Sequence, residues 1–385
     1  MKTLKFDVQD RFLLVMNVLI SAVFITLFTS CEEKNVYEQF QKVSGRLEPT
    51  IDTISFEAVK LDSVHCSGES FSWISSDGKI CYYDNYFCWL YTFDGDGHLQ
   101  NRRLGYGRGP NELLIRQGMV CAMSNDGEFA ICGNTYDYEY YSAEMGLKHR
   151  FMLKQEKNSL DPKNYMTYTT ADFDICARLN DEKLYMGMTS DSEKFSFFTT
   201  PAEYISESYR IGVIDLRKGK AMPMEIKGFP PIYAQDHQKY TSFDGVDFDI
   251  DREGNFYIGF RADSLVYVFD KNLKPRYAFG VSGKGMDRDY ESVTMDNLRA
   301  YGRNLSDKGY YSWVEFVDET KTCFRSYKKG SMSDYDGLQI YKDGQMVGDC
   351  SVPKGLKVTG YIEPYYYSQV FNDNDEGLTI YRFKL

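Results

Sequence analysis

The fold is decided by residues 246–285, which read VDFDIDREGNFYIGFRADSLVYVFDKNLKPRYAFGVSGKG. The segment opens with strict alternation, since the apolar residues at 246, 248 and 250 are each followed by an aspartate. Alternation with a period of two is typical of a half-buried β-strand, and the Glu253-Gly254 pair that follows predicts a turn. Further short strands are predicted at 255–260, 265–269 and 276–279. Four antiparallel strands within about 40 residues have the size of one blade of a β-propeller.

Degenerate copies of this unit recur along the chain, each built around short polar turns between apolar runs. Asp-Gly between alternating runs is the strongest local hairpin signal, and it occurs at Asp77-Gly78, Asp126-Gly127 and Asp343-Gly344. Together with less regular turns, these signals define five units. Their hairpins are predicted at 73–84, 89–104, 119–132, 138–153, 173–188, 211–226, 309–327 and 338–352.

A sixth unit has to be assembled from both ends of the chain. Segments 361–371 and 377–385 supply C-terminal strands, and an N-terminal strand at 52–59 completes the sheet. Mixing both termini in one blade closes a ring and removes the exposed edges of an open array. We therefore predict an all-β fold, a six-bladed β-propeller of four-stranded antiparallel blades whose ring is closed by N- and C-terminal strands. Seven shorter blades would also fit the length.

Composition excludes several classes of protein. The chain has 385 residues, with 56 acidic against 45 basic side chains and a formal net charge of −11. This scattered, acidic charge argues against binding to nucleic-acid phosphates, so no nucleic-acid partner is expected. An apolar content of 43% and an aromatic content of 16% argue against disorder.

The N-terminus has the pattern of a secretory signal. Residues 12–28 read FLLVMNVLISAVFITLF and follow three basic residues, which gives a charged region and then an apolar one. Thr29-Ser30-Cys31 resembles the lipobox of bacterial lipoproteins, although Phe28 stands where that family most often has leucine. In that family the cysteine is acylated and becomes the mature N-terminus, so the resemblance implies a lipid anchor at Cys31. The alternative is a simple membrane anchor in which the cysteine is incidental.

The acidic pair Glu32-Glu33 bears on location. Acidic residues directly after the lipidated cysteine resemble the export signal of surface-displayed lipoproteins in some Gram-negative bacteria. The resemblance implies a protein of the cell envelope, anchored in the outer membrane and exposed at the surface. We divide the chain into a signal peptide at 1–30, a tether at 31–50 and a single propeller domain at 51–385.

Two sets of motifs resemble known propeller families. The 246–285 unit is similar to an NHL-type repeat, through its D-x-x-G-N-x-Y turn, V-x-V-F-D strand and F-G-x-x-G-x-G exit. The segment GYGRGPNE at Gly105–Glu112 resembles the G-[RK]-G-P-x-E loop of TolB-like six-bladed β-propeller lipoproteins. That family is mostly uncharacterised, so the resemblance implies a fold more than a function.

The GRGP loop is the candidate binding loop. Arg102, Arg103, Arg108 and Glu112 concentrate charge there, and an arginine fork can bind a carboxylate or a sugar at a propeller mouth. The alternative is an architectural connection whose glycines permit positive φ angles and in which Arg108 pairs with Glu112. The similar segment at 283–287 favours this alternative, because a repeated loop is usually architectural.

No metal or cofactor is expected. Asp94-Gly95-Asp96-Gly97 has part of a calcium-loop pattern but lacks the later oxygen ligands, so it reads as a hairpin turn. Six-bladed propeller lactonases hold a divalent metal with acidic and amide side chains in the channel. The acidic residues that inner strands could offer for such a site are Asp172, Asp174, Asp247 and Asp249. No linear catalytic motif accompanies them, so catalytic residues are not assigned.

Cysteine and tyrosine use can also be interpreted from the sequence. Besides Cys31, the cysteines lie mostly in apolar β-like runs without CxxC spacing, which predicts buried free thiols. If Asp126-Gly127 forms a two-residue turn, however, Cys121 and Cys132 lie directly opposite each other. Tyrosine clusters at 136–141, 310–311 and 365–367 suit either a binding rim or the packing of blade on blade.

These observations favour a membrane-tethered, non-catalytic module that uses one propeller face to bind a protein or a glycan. The alternative is a metal-dependent propeller hydrolase, lactonase or lyase. A third possibility is a structural subunit of an envelope complex. A converging acidic cluster in the central channel would favour the enzyme.

Overall fold

Six β-sheets surround a central channel in the computed structural model of the chain. Successive sheets pack against each other in chain order, and the last sheet contacts the first. The predicted six-bladed, all-β propeller with four-stranded antiparallel blades is therefore confirmed. The structure describes residues 35–43, 49–109, 112–153, 161–164, 168–170, 176–190, 192–224, 226–373 and 377–385.

The N-terminal segment runs along the outside of the ring. It forms a 3-10 helix at Val36–Glu38, strand β1 at Gln41–Lys42 and strand β2 at Glu57–Lys60. Strand β2 pairs antiparallel with the C-terminal strand, where Glu57 lies opposite Arg382. Strands from both ends of the chain thus share the last blade and close the ring, as predicted.

The first three blades follow in chain order, each from its inner to its outer strand. Blade 1 consists of β3 (Ser70–Ile74), β4 (Ile80–Asp84), β5 (Trp89–Phe93) and β6 (Leu99–Leu104). Blade 2 consists of β7 (Gly118–Met123), β8 (Phe129–Gly133), β9 (Asp137–Tyr141) and β10 (Leu147–Met152). In blade 3, the short strands β11 (Tyr168–Thr170) and β12 (Ala177–Asn180) both pair with the next strand. The blade continues with β13 (Lys183–Ser190), β14 (Ile211–Asp215) and β15 (Lys220–Pro223).

The other three blades complete the ring. Blade 4 consists of β16 (Val246–Ile250), β17 (Phe256–Phe260), β18 (Val266–Phe269) and β19 (Pro275–Phe279), and β1 adds a parallel strand at its edge. Blade 5 consists of β20 (Tyr311–Val317), β21 (Thr322–Tyr327), β22 (Asp336–Lys342) and β23 (Gln345–Val352). Blade 6 consists of β24 (Val358–Ile362), β25 (Tyr365–Asp373), β26 (Gly377–Phe383) and β2.

The helices lie on one face of the ring. Four strands per blade return the chain to the face at which it entered, so all connections between blades lie on that face, here called the upper face. Helix α1 (Pro201–Glu207) joins β13 to β14 on this face. Blade 4 is preceded by α2 (Ile232–Gln235), α3 (His237–Tyr240) and a 3-10 helix at Thr241–Phe243. Blade 5 is preceded by a 3-10 helix at Met295–Asn297 and α4 (Arg299–Asp307). Within the described residues, no helix combines the length and apolar character needed to cross a membrane.

Apolar side chains fill the spaces between neighbouring blades. Between blades 1 and 2, Trp73 and Phe129 stack with ring centres 6.1 Å apart, and between blades 4 and 5, Tyr257 and Phe316 stack at 4.3 Å. Such aromatic pairs contribute about 0.5–1.5 kcal/mol beyond their area burial. Most tyrosines of the three sequence clusters are used in this way, because the structure buries Tyr138, Tyr140, Tyr141, Tyr310, Tyr311, Tyr366 and Tyr367.

The predicted register at Asp126-Gly127 is wrong by one residue. The turn is longer than two residues, because Met123 pairs with Phe129 and the amide of Ser124 donates to the carbonyl of Glu128 at 2.8 Å. A one-residue slip turns a side chain to the opposite face of a sheet. Cys121 and Cys132 therefore point into different inter-blade cores. The eight cysteines of the described residues are free and seven are buried, as predicted.

The residues before β1 pack on blade 4. The ring of Tyr37 makes edge contacts with Phe260 and Tyr267, with ring centres 5.3 and 4.8 Å apart. Asn35 donates its side-chain amide to the carbonyl of Phe229 at 2.9 Å. Residues 35–43 of the predicted tether thus lie against the propeller, at the boundary between blades 3 and 4.

Candidate ligand site in the central channel

The GRGP loop closes on itself at the upper face. The amide of Gly107 donates to the carbonyl of Leu113 at 2.9 Å, and Leu113 donates back to Gly105 at 2.8 Å. Glu112 accepts the amide of Gly109 at 2.7 Å. Gly105 has a φ of +122° and lies against the Trp89 indole, so a side chain could not be accommodated there. Within this loop, glycine and glutamate maintain the backbone shape.

Two of the candidate cations, Arg102 and Arg103, point away from each other. Arg102 and Arg103 are neighbours on β6, the outer strand of blade 1, and therefore point to opposite faces of the blade. The guanidinium of Arg102 lies over the Trp89 ring at 4.8 Å. Arg108 lies in the loop beyond this strand. A ligand role for Arg102, Arg103, Arg108 and Glu112 stays a prediction, and Cys31 lies outside the described residues.

The carboxylate of Asp94 accepts hydrogen bonds from the backbone of its own turn. Asp94 accepts the amides of Asp96 and His98 at 3.0 and 2.9 Å. Its oxygens thus satisfy the backbone of a hairpin turn between β5 and β6.

A cavity of about 490 Å³ occupies the channel. Its walls come from the inner strands of all six blades, so residues that are far apart in sequence face each other across it. Aromatic and polar side chains alternate along the walls, with Trp73 and Trp313 among small hydroxyl and amide residues. The size and concave shape are those of a site for a small ligand.

Arg178 on β12 is the centre of the channel's charge network. Its Nε lies 2.5 Å from Oδ1 of Asp249 on β16, and its Nη2 lies 2.8 Å from Oε2 of Glu315 on β20. The second oxygen of Asp249 accepts the amide of Phe316 at 2.7 Å. The three charged side chains are between 8% and 18% exposed. One arginine thus ties the inner strands of blades 3, 4 and 5 together.

Glu315 is the titratable group of this network. Burial and, after it, the nearby Asp249 carboxylate raise the pKa of Glu315 to about 8, although Arg178 acts in the opposite direction. Two carboxylates share one cation, and the less favourably placed of the two keeps its proton. At neutral pH Arg178 therefore neutralises Asp249 while Glu315 is largely uncharged.

The channel carboxylates that the structure describes do not form a metal site. A divalent cation would need carboxylate oxygens directed at it, but the guanidinium of Arg178 takes that position between Asp249 and Glu315. Across the part of the chain that the structure describes, no group of three or more His, Cys, Asp or Glu side chains could hold a metal. Asp247 is buried on β16, and Asp172 and Asp174 lie outside the described residues.

Trp313 is the aromatic platform of the site. Its indole N–H donates to the carbonyl of Val358 on blade 6 at 2.8 Å, which fixes the ring at the boundary between blades 5 and 6. The guanidinium of Arg178 and the ammonium of Lys357 lie 4.7 and 5.0 Å from the ring centre. Both distances are within the range of a cation–π interaction. The ring is therefore held in position and lies in the cavity wall.

The upper mouth of the cavity is organised by Gln369. Its Oε1 accepts the amide of Lys357 at 2.7 Å, and its Nε2 donates to the carbonyl of Gly355 at 2.6 Å. These bonds shape the connection from blade 5 to blade 6, which carries Lys357. At the same end of the cavity, the ammonium of Lys328 lies 4.8 Å from the centre of the Tyr310 ring.

Sequence reasoning identified one member of this site and missed the others. Asp249 was a candidate because it belongs to the alternating run of β16. Arg178, Glu315 and Trp313 each lie on a different or weaker unit, and no fixed spacing connects them. Position on an inner strand was the only available signal, and it depends on the register of each blade.

Comparisons with known proteins support the fold. No family model matches the chain, and no curated protein matches it in sequence. A solved structure of a DUF4221 family member from Bacteroides vulgatus matches with 14% identity and a TM-score of 0.59, over 86% of this chain and 96% of that one. A predicted exported protein from Bacteroides fragilis matches with 15% identity and a TM-score of 0.50, over 88% of this chain and 97% of that one.

Identities at this level show a shared propeller fold and nothing finer. A calcium-binding protein, regucalcin, from Agrobacterium tumefaciens matches at 11% identity over 87% of this chain and 97% of that one, but its TM-score of 0.45 supports no argument. More distant matches include enzymes. The resemblance to TolB-like and NHL-type families stays a prediction. The function has to be argued from the channel itself.

Proposed function

We propose that this chain is an exported, lipid-anchored protein whose propeller binds a small glycan in its central channel without changing it chemically. The observation that supports the proposal is the cavity of about 490 Å³ with Trp313 fixed in its wall. Sugar rings pack on aromatic faces, and their hydroxyls pair with the hydroxyl and amide side chains that line such cavities.

A glycan suits the cavity better than a folded protein does. Protein interfaces are broad and carry aromatic anchors at the centre of a large contact area. Here Trp73 and Trp313 lie inside a concave channel, where a folded surface could not reach them. Ser70, Ser72 and Ser312 contribute to the lining of the same cavity.

Binding without catalysis is favoured over a metal-dependent hydrolase, lactonase or lyase. Those reactions need carboxylates that are free to hold a metal or to activate water. Asp249 and Glu315 instead hold Arg178, which joins three blades and so maintains the shape of the site. We therefore expect the glycan to be recovered intact, and EDTA to leave binding unchanged.

A lipid at Cys31 would hold this site at the cell envelope. Only residues 32–34 separate Cys31 from Asn35, which is bonded to Phe229 on the propeller. The anchor would therefore keep the boundary of blades 3 and 4 close to the outer membrane, on the surface side. Labelling with palmitate tests this, with Cys31→Ala as control; an unlabelled wild-type protein would contradict the anchor.

Tryptophan fluorescence tests the binding site directly. The chain contains three tryptophans, and two of them, Trp73 and Trp313, line the cavity. The full chain in detergent is titrated with a panel of small neutral and acidic oligosaccharides, with a glycan array in parallel. We expect saturable fluorescence changes and a loss of about tenfold or more in affinity for Trp313→Phe.

Trp89→Phe is the matched control, because Trp89 lies in the outer part of blade 1 beside Arg102. It should bind with wild-type affinity. The proposal is wrong if no saccharide of the panel binds, or if Trp313→Phe and Trp89→Phe bind equally well.

A further inference from the structure

The upper face of the ring exposes apolar side chains where blades 3, 4 and 5 meet. Phe198 lies in the connection between β13 and α1, and Met295 and Leu298 lie in the connection from blade 4 to blade 5. These three side chains, here called the apolar sector, are 40%, 70% and 50% exposed. Among the described residues, the hairpin loops of the lower face expose no large apolar side chain. The sector is therefore a feature of one face of the propeller.

Phe198 lies beside the point at which the N-terminal segment reaches the upper face. The ring of its neighbour Phe197 packs on Phe229, with ring centres 5.2 Å apart. The carbonyl of Phe229 in turn accepts the side-chain amide of Asn35 at 2.9 Å. Phe198 and Asn35 thus belong to the same packed region at the boundary of blades 3 and 4.

A row of aromatic rings connects this region to the rest of the sector. The rings are, in order, Phe229, Tyr233, Tyr240 and Tyr290, with neighbouring centres 4.6, 5.7 and 6.0 Å apart. The amide of Val293 donates to the carbonyl of Gln238 at 2.9 Å, which fixes the connection that carries Met295. The exposed side chains therefore stand on a continuous, packed support rather than on separate loops.

The proposed anchor brings a lipid surface to this sector. Only residues 32–34 separate Cys31 from Asn35, and an extended chain spans at most about 3.6 Å per residue. Asn35 therefore lies within about 14 Å of an acylated cysteine at the membrane interface. A small folded domain is about 30 Å across, so a folded partner would not fit between the sector and the membrane.

From this juxtaposition we infer that the apolar sector docks on the lipid surface, with Phe198, Met295 and Leu298 inserted at the boundary between headgroups and acyl chains. Phenylalanine and aliphatic side chains on one face are typical of protein segments that lie in this interface. Their transfer out of water stabilises the docked state in proportion to the apolar area buried. The inference rests on the lipid at Cys31, which is part of the proposed function, and is independent of glycan binding.

Quenching by brominated lipids tests the contact. Phe198→Trp and Met295→Trp each place a fluorophore in the sector, and the wild type gives the signal of the three native tryptophans. The acylated protein is reconstituted in vesicles of phosphatidylethanolamine and phosphatidylglycerol, with or without bromine on the acyl chains. Each introduced tryptophan should lose fluorescence in the brominated vesicles, because it lies at the depth of the upper acyl chains.

Leu147→Trp is the matched control, because Leu147 is an exposed apolar side chain at the lower end of β10. Its tryptophan should keep its fluorescence. In a second comparison, Phe198→Ser and Leu298→Ser are added to Met295→Trp, and the loss of two apolar contacts should reduce the quenching of that tryptophan. Thermal melts establish that the variants are folded.

The outcomes separate the inference from the proposed function. If the wild type is labelled by palmitate but the sector tryptophans are not quenched, lipid docking is overturned and the anchor stays in place. A protein partner that covers the sector instead would give this result. Equal quenching of Leu147→Trp and the sector variants also overturns the inference, because it shows that no face is preferred. Absence of palmitate labelling overturns the anchor and the inference together.

Discussion

Arg178 of blade 3 reaches Glu315 of blade 5, with Nη2 2.8 Å from Oε2, although blade 4 lies between them in the ring. The contact is possible because inner strands converge on the channel axis. Its neighbour Asp249 fills the intermediate position on blade 4. A single guanidinium therefore links three blades at the point where they come closest.

Removal of this guanidinium should destabilise the propeller. Arg178→Met leaves the buried Asp249 carboxylate without its cation, and loss of one partner of a buried ion pair costs about 3–5 kcal/mol. Urea unfolding at pH 7.5 measures the change. Arg276→Met, at an exposed position on β19, is the control and should stay within about 0.5 kcal/mol of wild type.

A second substitution can show whether Arg178→Met destabilises the protein through an unpaired charge or through lost packing. Asp249→Asn, added to Arg178→Met, removes the unpaired charge and should restore part of the stability. An Arg178→Met variant as stable as Arg276→Met would show that the network contributes little.

Glu315 should make stability depend on pH. Its pKa is raised to about 8 in the folded protein from an ordinary value of 4.5, so the folded state holds a proton that the unfolded state has lost. The contribution to stability is complete below pH 4.5 and is lost as pH rises through 8, by an amount on the order of a few kcal/mol. Unfolding free energies of wild type and Glu315→Gln are compared from pH 5 to 8.5. The difference, wild type minus variant, should fall steadily with pH, and a difference independent of pH would refute the raised pKa.

The N-terminal segment should contribute to stability through Tyr37. This side chain is 4% exposed, and its hydroxyl has no hydrogen-bond partner among the described residues. Tyr37→Ala should cost about 3–5 kcal/mol by leaving a cavity on blade 4. Tyr37→Phe should be neutral or stabilising by about 1 kcal/mol, because it removes an unsatisfied polar group. Thermal melts measure both, and Tyr86→Ala, at a side chain that is 66% exposed, is the control. Equal melting temperatures for Tyr37→Ala and Tyr86→Ala would show that the segment is not docked in solution.

Most cysteines should not react with thiol reagents in the folded protein. Burial raises the pKa of Cys81 and of Cys176 to about 12, which keeps both as unreactive thiols at pH 8. Cys66 is the one half-buried thiol among those described, so Ellman's reagent should modify about one group under native conditions, and none in Cys66→Ser. With Cys31 acylated, as we propose, the chain carries eight free thiols, and all eight should react in urea without a reductant. Fewer than eight in urea would reveal disulfides and contradict the free thiols.

Local signals made the fold predictable. The alternation of β16 and the Glu253-Gly254 turn are encoded within a few residues, and the hairpin they predict is the one observed. The register between strands was harder to predict, because a difference of one residue in the length of the turn shifts every pair. The observed shift between Cys121 and Cys132 is an example. The channel site was harder still. Its members meet only after six blades have been placed in a ring, and no spacing within the sequence encodes that meeting.

Closure of the ring has a consequence for how the chain reaches its native state. Strand β2 is synthesised early, whereas its hydrogen-bonding partner β26 lies at the C-terminal end of the chain. Glu57 therefore cannot pair with Arg382 until synthesis is nearly complete. Contacts between residues this far apart in sequence are slow to form. The chain loses the entropy of closing a long loop before the stabilising contacts are made. Until then the chain would carry β2 unpaired and its final blade incomplete. Truncation near the C-terminus should therefore leave β2 without its partner strand, while residues 35–43 remain docked on blade 4.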